Sequence, residues 1–288
     1  MVRTGARRQV VTSGRYSANV FPILCDLDGV VWLTREPIPG SVDAVARLRA
    51  AGHRVLFVTN NSSARVEDQE AALERIGIPA TGDVLTSAMA AAGLFEAGST
   101  AFACASAGVV QALERRGVIV VTSEEVDSGT VPDAVVVGWH RHFDFDGLHR
   151  AAAAVRGGAR LVATNDDATY PTADGLIPGG GAILAAVETA SGTNATIAGK
   201  PFEPMAVLVR EWLGSEWSTD AVMVGDRPST DGRFARQLGC RAALVWSGVT
   251  AAGASVEPSP DIACADLAAV ADLVLDGQLP ASTVLTGG

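Results

Sequence analysis

The sequence has no apolar run approaching the roughly 18–20 residues needed to cross a bilayer, so no membrane-embedded role is expected. It also lacks a C-x-x-C pair or any Cys/His cluster with metal-ligand spacing. Its four cysteines, Cys25, Cys104, Cys240 and Cys264, stand far apart. That pattern reads as reduced thiols in a cytoplasmic protein rather than a disulfide framework or a zinc site. Positive charge is scarce. Lys and Arg number 22 against 32 Asp and Glu, a formal net charge of −10. Nucleic acid is therefore not an expected partner, because binding it relies on clustered Lys and Arg. No repeat of fixed short period is present. Residues 1–20 carry Arg3, Arg7, Arg8 and Arg15 but no continuous apolar segment of secretory type, so a disordered leader is expected there.

Core-forming residues, in contrast, are plentiful. Hydrophobic residues make up 48% and charged residues 19% of 288 positions, which supports a packed core and about two domains. The order is mostly strand then helix. Apolar runs such as ILCDL (23–27), RVLFVT (54–59), AFACA (101–105), AVVVG (134–138), RLVAT (160–164), ATIAG (195–199), AVMVG (221–225) and AALVW (242–246) read as strands. Segments of helical periodicity separate most of them, among them 41–52, with Ser41 as N-cap, and 145–158. Such alternation, with runs buried on both faces, predicts parallel α/β layers.

Ligands in such sheets bind beyond the carboxyl ends of the strands, so the residues that follow each strand matter most. Asp26 and Asp28 follow the first. Thr59, Asn60 and Asn61 end the second. Lys200 follows ATIAG, and Asp226 and Asp231 follow AVMVG. Four converging acids would raise one another's pKa values unless a cation neutralised them. Oxygen ligands without His or Cys point to Mg²⁺, which often sits against a phosphate. Lys200 and the donors near Thr59 and Asn60 would then hold an anionic group. Two carboxylates at i and i+2 can divide the labour of phosphoryl transfer, one attacking phosphorus while the other handles protons.

At these residues the sequence resembles the haloacid dehalogenase superfamily. DLDGV at 26–30 is similar to its first motif, Thr59 in VTNNS to its second, Lys200 in AGKP to its third, and GDRPSTD at 225–231 to its fourth. TNNS, ATNDD (163–167), PGGGA (178–182) and AGKP resemble more closely the p-nitrophenylphosphatase, phosphoglycolate phosphatase, pyridoxal phosphatase and nucleotide phosphatase subfamily. The resemblance implies a doubly wound, Rossmann-like parallel sheet core with an inserted α/β cap domain. The core would span 21–98 and 179–277 and the cap 99–178, with a flexible tail at 278–288. It implies a Mg²⁺-dependent phosphatase for small phosphorylated metabolites. Asp26 would be the nucleophile and Asp28 the general acid/base. The metal would be held by Asp26, Asp226 and the backbone carbonyl of Asp28, with Asp231 supporting the metal waters or binding directly, and the phosphate by Thr59, Asn60 and Lys200. Departures from the family's pattern occur at His140, Asp166, Ser229 and Gly232.

Outside the motifs the readings stay open. His140, His142, Asn165 and Asp167 are candidate substrate or cap contacts. Trp139 reads as packing, and Gly179–Gly181 as a tight hinge turn rather than a phosphate cradle. Cys25 is expected in the core, because strand alternation turns it away from Asp26. A homodimer is compatible with an exposed apolar cap surface. A phosphomutase, a dehalogenase on the same core, or an inactive phosphometabolite-binding protein are the alternative functions.

Overall fold

The computed structural model describes residues 20–172 and 175–280. Two parallel sheets organise the chain. Runs without polar alternation form them, because a strand covered by helices on both faces buries every side chain. Ile23–Cys25, Val55–Thr59, Val84–Thr86, Val222–Gly225 and Arg241–Val245 are buried throughout.

The first sheet has the order Ile262–Cys264, Arg241–Val245, Val222–Gly225, Ile23–Cys25, Val55–Thr59, Val84–Thr86, all parallel. The chain winds outward to one side of Ile23–Cys25 early and to the other side late. A crevice therefore opens beyond the carboxyl end of Ile23–Cys25, where the winding reverses. Helices Ser41–Ala50 and Leu267–Leu275 cover one face, burying Val45, Leu48, Val270 and Ala271 with Phe57 and Val224. Helix Glu203–Leu213 covers the other, setting Met205 and Val209 in the cluster that holds Leu24 and Leu56. Cys25 is fully buried, as alternation predicts.

The second sheet has the order Thr196–Ile197, Arg160–Ala163, Ala134–Val137, Thr100–Cys104, Ile119–Val121, again parallel. Helices Phe145–Arg156 and Gly180–Ser191 bury Ala151, Val155, Ile183 and Val187 with Val135 and Leu161. This is the inserted α/β unit, but its far boundary differs from expectation. Helix Gly180–Ser191 and strand Thr196–Ile197, both assigned to the core from sequence, pack in this unit. The cap proposed for 99–178 therefore reaches about residue 197. Only two residues of the 195–199 run pair, and they do so at a sheet edge. A run so short carries no mark of which sheet it will join.

Smaller corrections follow the same logic. Ser41 is not the N-cap; Gly40 is, and the Ser41 hydroxyl donates to the Val31 carbonyl at 2.8 Å. Residues 1–19 of the expected leader and 281–288 of the expected tail lie outside the described residues. Residues 278–280 are anchored: Gln278 N–H donates to Leu273 and Arg241 Nε donates to the Pro280 carbonyl at 2.9 Å. At Gly232, where the family's pattern has a larger residue, the Pro258 ring lies 3.3 Å from where a Cβ would be and fills the space.

The two units meet along a mixed seam. Away from the crevice it is apolar, where helix Ser87–Ala92 packs on helix Ala107–Arg115 through Ala91, Ala112 and Leu113. Toward the crevice it is polar, with Ser62 and Thr164 hydroxyls 2.9 Å apart and Asn165 Nδ2 donating to the Asn60 carbonyl at 2.9 Å. Gly108 makes the close approach. A Cβ there would lie 2.2 Å from the Ala64 carbonyl oxygen and 2.5 Å from that of Ser62. Gly108→Ala must therefore displace backbone, and a loss of about 1–3 kcal/mol is expected from such overpacking, read by denaturant unfolding.

Candidate active site

Three neighbouring strands end at the crevice. Ile23–Cys25 leads into Asp26, Val55–Thr59 ends on Thr59, and Val222–Gly225 leads into Asp226. Lys200 arrives from the second sheet, three residues past Ile197, rather than from a fourth core strand. The Asn60 side chain fixes its backbone: Lys200 N–H donates to Asn60 Oδ1 at 2.8 Å, and Asn60 Nδ2 donates to the Lys200 carbonyl at 3.0 Å. Lys200 Nζ then lies 2.7 Å from Asp231 Oδ1 and 3.0 Å from Asp26 Oδ1, with only 1% of the side chain exposed.

Asp26, Asp226 and Asp231 each offer a carboxylate oxygen, and these three atoms lie within 4.8 Å of one another. Asp226 is wedged in place, since a Cβ on Gly29 or Gly248 would lie 2.4 or 2.0 Å from its Oδ2. That oxygen accepts the Val249 N–H at 2.7 Å. The other, Oδ1, is buried with no hydrogen-bond partner. A buried carboxylate oxygen without a donor is costly. A divalent cation would supply the missing partner, and the all-oxygen donor set suits a hard ion such as Mg²⁺.

Burial disfavours charge throughout the group. It pushes Asp226 up to about 6, with Asp231 adding to the rise. Burial also raises Asp26 well above the usual carboxylate range. Lys200 opposes that rise, while Asp231, Asp226 and Asp28 add to it. Asp28 is raised by burial too, against the Trp32 Nε1 hydrogen bond at 3.1 Å. For Lys200 burial works against the ammonium, yet Asp231 and Asp26 outweigh it and hold the cation firmly protonated.

A haloacid dehalogenase-like hydrolase model matches residues 23–119, and a second HAD-hydrolase-like model matches residues 197–270. The D-glycerol 3-phosphate phosphatase of Mycobacterium tuberculosis is 36% identical over 243 residues, covering 83% of this chain and 66% of that protein's length. Chronophin from Homo sapiens is 34% identical over 242 residues, covering 79% of this chain and 81% of its own. This chain belongs to the haloacid dehalogenase-like hydrolases. Solved structures agree. The M. tuberculosis glycerol phosphate phosphatase in complex with magnesium superposes with a TM-score of 0.79 at 33% identity, over 88% of this chain and 78% of that one. The p-nitrophenyl phosphatase from Archaeoglobus fulgidus gives 0.78 at 26% identity, over 87% and 98%.

In this dehalogenase-like site a cavity of about 470 Å³ is lined by Asp26, Asp28, Thr59, Asn60, Asn165, Asp167, Lys200 and Asp226. Asp231 lies beneath, only 3% exposed, and reaches the site through Lys200. The Asp28 carboxylate stands apart from the three-acid group and is held by Trp32. The Asn60 side-chain amide is committed to the Lys200 backbone and to Asp167 Oδ2, at 3.0 Å. Asn165 and Asp167 do reach the cavity. His140 and His142 do not line it. His140 Nε2 sits 3.8 Å from Cys104 Sγ, and its ring meets Phe143 edge-on. Their alternation along the sequence gave no direction, and the apolar side of the cap took His140.

Gly179–Gly181, expected as a hinge turn between core and cap, lie inside the second unit and pack tightly on the chain before them. Cβ atoms on Gly179 and Gly181 would lie 2.2 and 2.3 Å from the carbonyls of Asp167 and Asp166. Trp139 both packs and lines the cavity, stacking on Tyr170 with centroids 6.1 Å apart. Sequence reading missed Trp32, Arg35 and Tyr170. Trp32 had a usable signal, four residues after Asp28. Tyr170 had none, because its place depends on the Thr169–Thr172 and Gly175–Pro178 hairpin folding over the crevice.

Proposed function

We propose that this chain is a Mg²⁺-dependent phosphatase that hydrolyses small phosphomonoesters through an aspartyl-phosphate on Asp26. One observation carries the reading: Asp26, Asp226, Asp231 and Lys200 meet at the point where the winding of the sheet reverses, around a buried carboxylate oxygen that has no partner. Asp226, Asp26 and the Asp28 backbone would hold the ion, with Asp231 in support. When bound it would neutralise the acids and draw charge from the phosphoryl oxygens.

The residues divide the remaining work. Lys200 Nζ and the Thr59 hydroxyl would hold the phosphoryl oxygens. The Thr59 oxygen already accepts the Asn61 N–H at 3.1 Å, which leaves its proton to donate into the cavity. A carboxylate oxygen of Asp26 attacks phosphorus and the bond to the alcohol oxygen breaks. Asp28 gives that oxygen a proton. Asp28 then takes a proton from water as the water attacks the aspartyl-phosphate, freeing phosphate and restoring Asp26. The cap side of the cavity, with Trp139 and Tyr170, shields this chemistry from bulk water. Every group named comes from one chain. A cytoplasmic setting belongs to the same reading, supported by four buried, unpaired thiols.

The test is phosphate release from p-nitrophenyl phosphate. Activity is expected with Mg²⁺, loss with chelator, and recovery on Mg²⁺ addition. Thermal melts give a second readout. At about 100 times its Kd the ion adds ~2.7 kcal/mol of stability, a rise of several degrees in Tm. A melt indifferent to both chelator and Mg²⁺ would remove the metal from this account.

A further inference from the structure

Beside the acids, the same cavity is lined by Arg35, which no step above uses. It sits at the tip of a short antiparallel hairpin, Trp32–Leu33 with Glu36–Pro37. The two turn residues, Thr34 and Arg35, have φ of 49° and 70°. Two-residue hairpin turns with both residues left-handed favour Asn-Gly, and a β-branched residue there is strained. Strain of this kind is kept where the side chain has a task. Arg35 also enters no ion pair or hydrogen bond among the described residues. Arg35 thus lines a cavity rich in carboxylates without forming an ion pair with any of them, its charge acting on Asp28.

The hairpin fixes which part of the substrate it faces. Trp32, at its base, donates Nε1–H to Asp28 Oδ1 at 3.1 Å, and Asp28 and Trp32 are joined by a β-bridge. Asp28 serves the leaving oxygen in the mechanism above. Arg35 is therefore carried by the same short element that aims the proton donor, on the leaving-group side rather than the phosphate side. Tyr170 lines the same cavity, and burial pushes its hydroxyl up to about 12, so it stays neutral there.

We infer that Arg35 is a specificity-determining residue that favours phosphomonoesters whose alcohol portion carries a second anionic group, a carboxylate or a further phosphate. The inference rests on the phosphatase reading. The guanidinium would take the second anion in charge-assisted hydrogen bonds while Lys200 and the metal site take the first. Without it, a second negative charge would enter a cavity lined by Asp26, Asp28, Asp167 and Asp226 with less to offset the repulsion.

The test uses a matched pair of substrates with Mg²⁺ present: 2-phosphoglycolate, and 2-hydroxyethyl phosphate, which replaces the carboxylate with a neutral hydroxymethyl group. The ratio of their kcat/KM values is measured for wild type, Arg35→Met, and the double variant Thr34→Asn/Arg35→Gly. The double variant suits the turn and keeps the hairpin while removing the guanidinium. The ratio is expected to favour phosphoglycolate in wild type and to fall about tenfold in both variants, the low end for a charge-assisted contact at an exposed position. A ratio that stays the same in both variants overturns the inference. Failure of the phosphatase reading looks different: no phosphate from either substrate or from p-nitrophenyl phosphate, which removes both.

Discussion

Asp26→Asn is expected to lower kcat for p-nitrophenyl phosphate by at least about 10⁴-fold while leaving the fold intact, because a nucleophile lost outright is not replaced by its neighbours. The amide is nearly isosteric with the carboxylate. Its oxygen can still accept the Leu27 N–H, now at 2.8 Å from Asp26 Oδ1. Lys200 keeps Asp231 as its closer partner at 2.7 Å. What disappears is an oxygen able to attack phosphorus. Stability should not suffer, since burial and three neighbouring acids already work against the charge on Asp26. A melting temperature at or above wild type, beside near-zero turnover, is the expected pair of results. An Asp26→Asn protein as fast as wild type would show that another group attacks phosphorus.

Lys200→Met should damage both activity and stability. The ammonium is buried between Asp26 and Asp231. Removing one partner of a buried ion pair leaves the other charge uncompensated, at a cost of roughly 3–5 kcal/mol. Methionine fills most of the volume, so the loss reports charge more than cavity. Denaturant unfolding with chelator should show the full deficit. With Mg²⁺ the deficit should shrink, because the cation replaces part of the missing charge near Asp26. Turnover should fall by about 10²–10³-fold, the scale for losing a donor aimed at developing charge. Equal unfolding curves for wild type and variant in chelator would contradict the placement of Lys200.

The contrast between these residues and the cap histidines shows what was legible in the sequence. Asp26, Thr59 and Asp226 could be placed because each follows an apolar run too uniform to be anything but a doubly covered strand. Strand ends in such sheets share one edge. Lys200 was placed correctly in space by a wrong route. Its strand belongs to the second sheet, and what brings it to the acids is the pair of Asn60 hydrogen bonds to its backbone. No periodicity encodes an amide that bridges residues 140 apart. His140, a candidate substrate or cap contact, meets residues of the second unit and does not line the cavity. A loop histidine turns whichever way its neighbours permit, and Cys104 and Phe143 lie on the side away from the cavity. The strands Val84–Thr86 and Ile262–Cys264 escaped notice because neither lies in a long uniform apolar run: polar residues flank both closely.

The seam between the two units is unequal along its length. Near the crevice it is stitched by Ser62, Thr164, Asn60, Asn165 and Asp167, groups that water can satisfy as readily as they satisfy one another. Each such bond is worth only about 0.5–1.5 kcal/mol net. At the far side Ala91, Ala112 and Leu113 would expose apolar surface on parting, at roughly 25 cal/mol per Å². The two units therefore meet like a jaw with an oily heel and wettable lips, and parting is expected to begin at the lips, beside the acids.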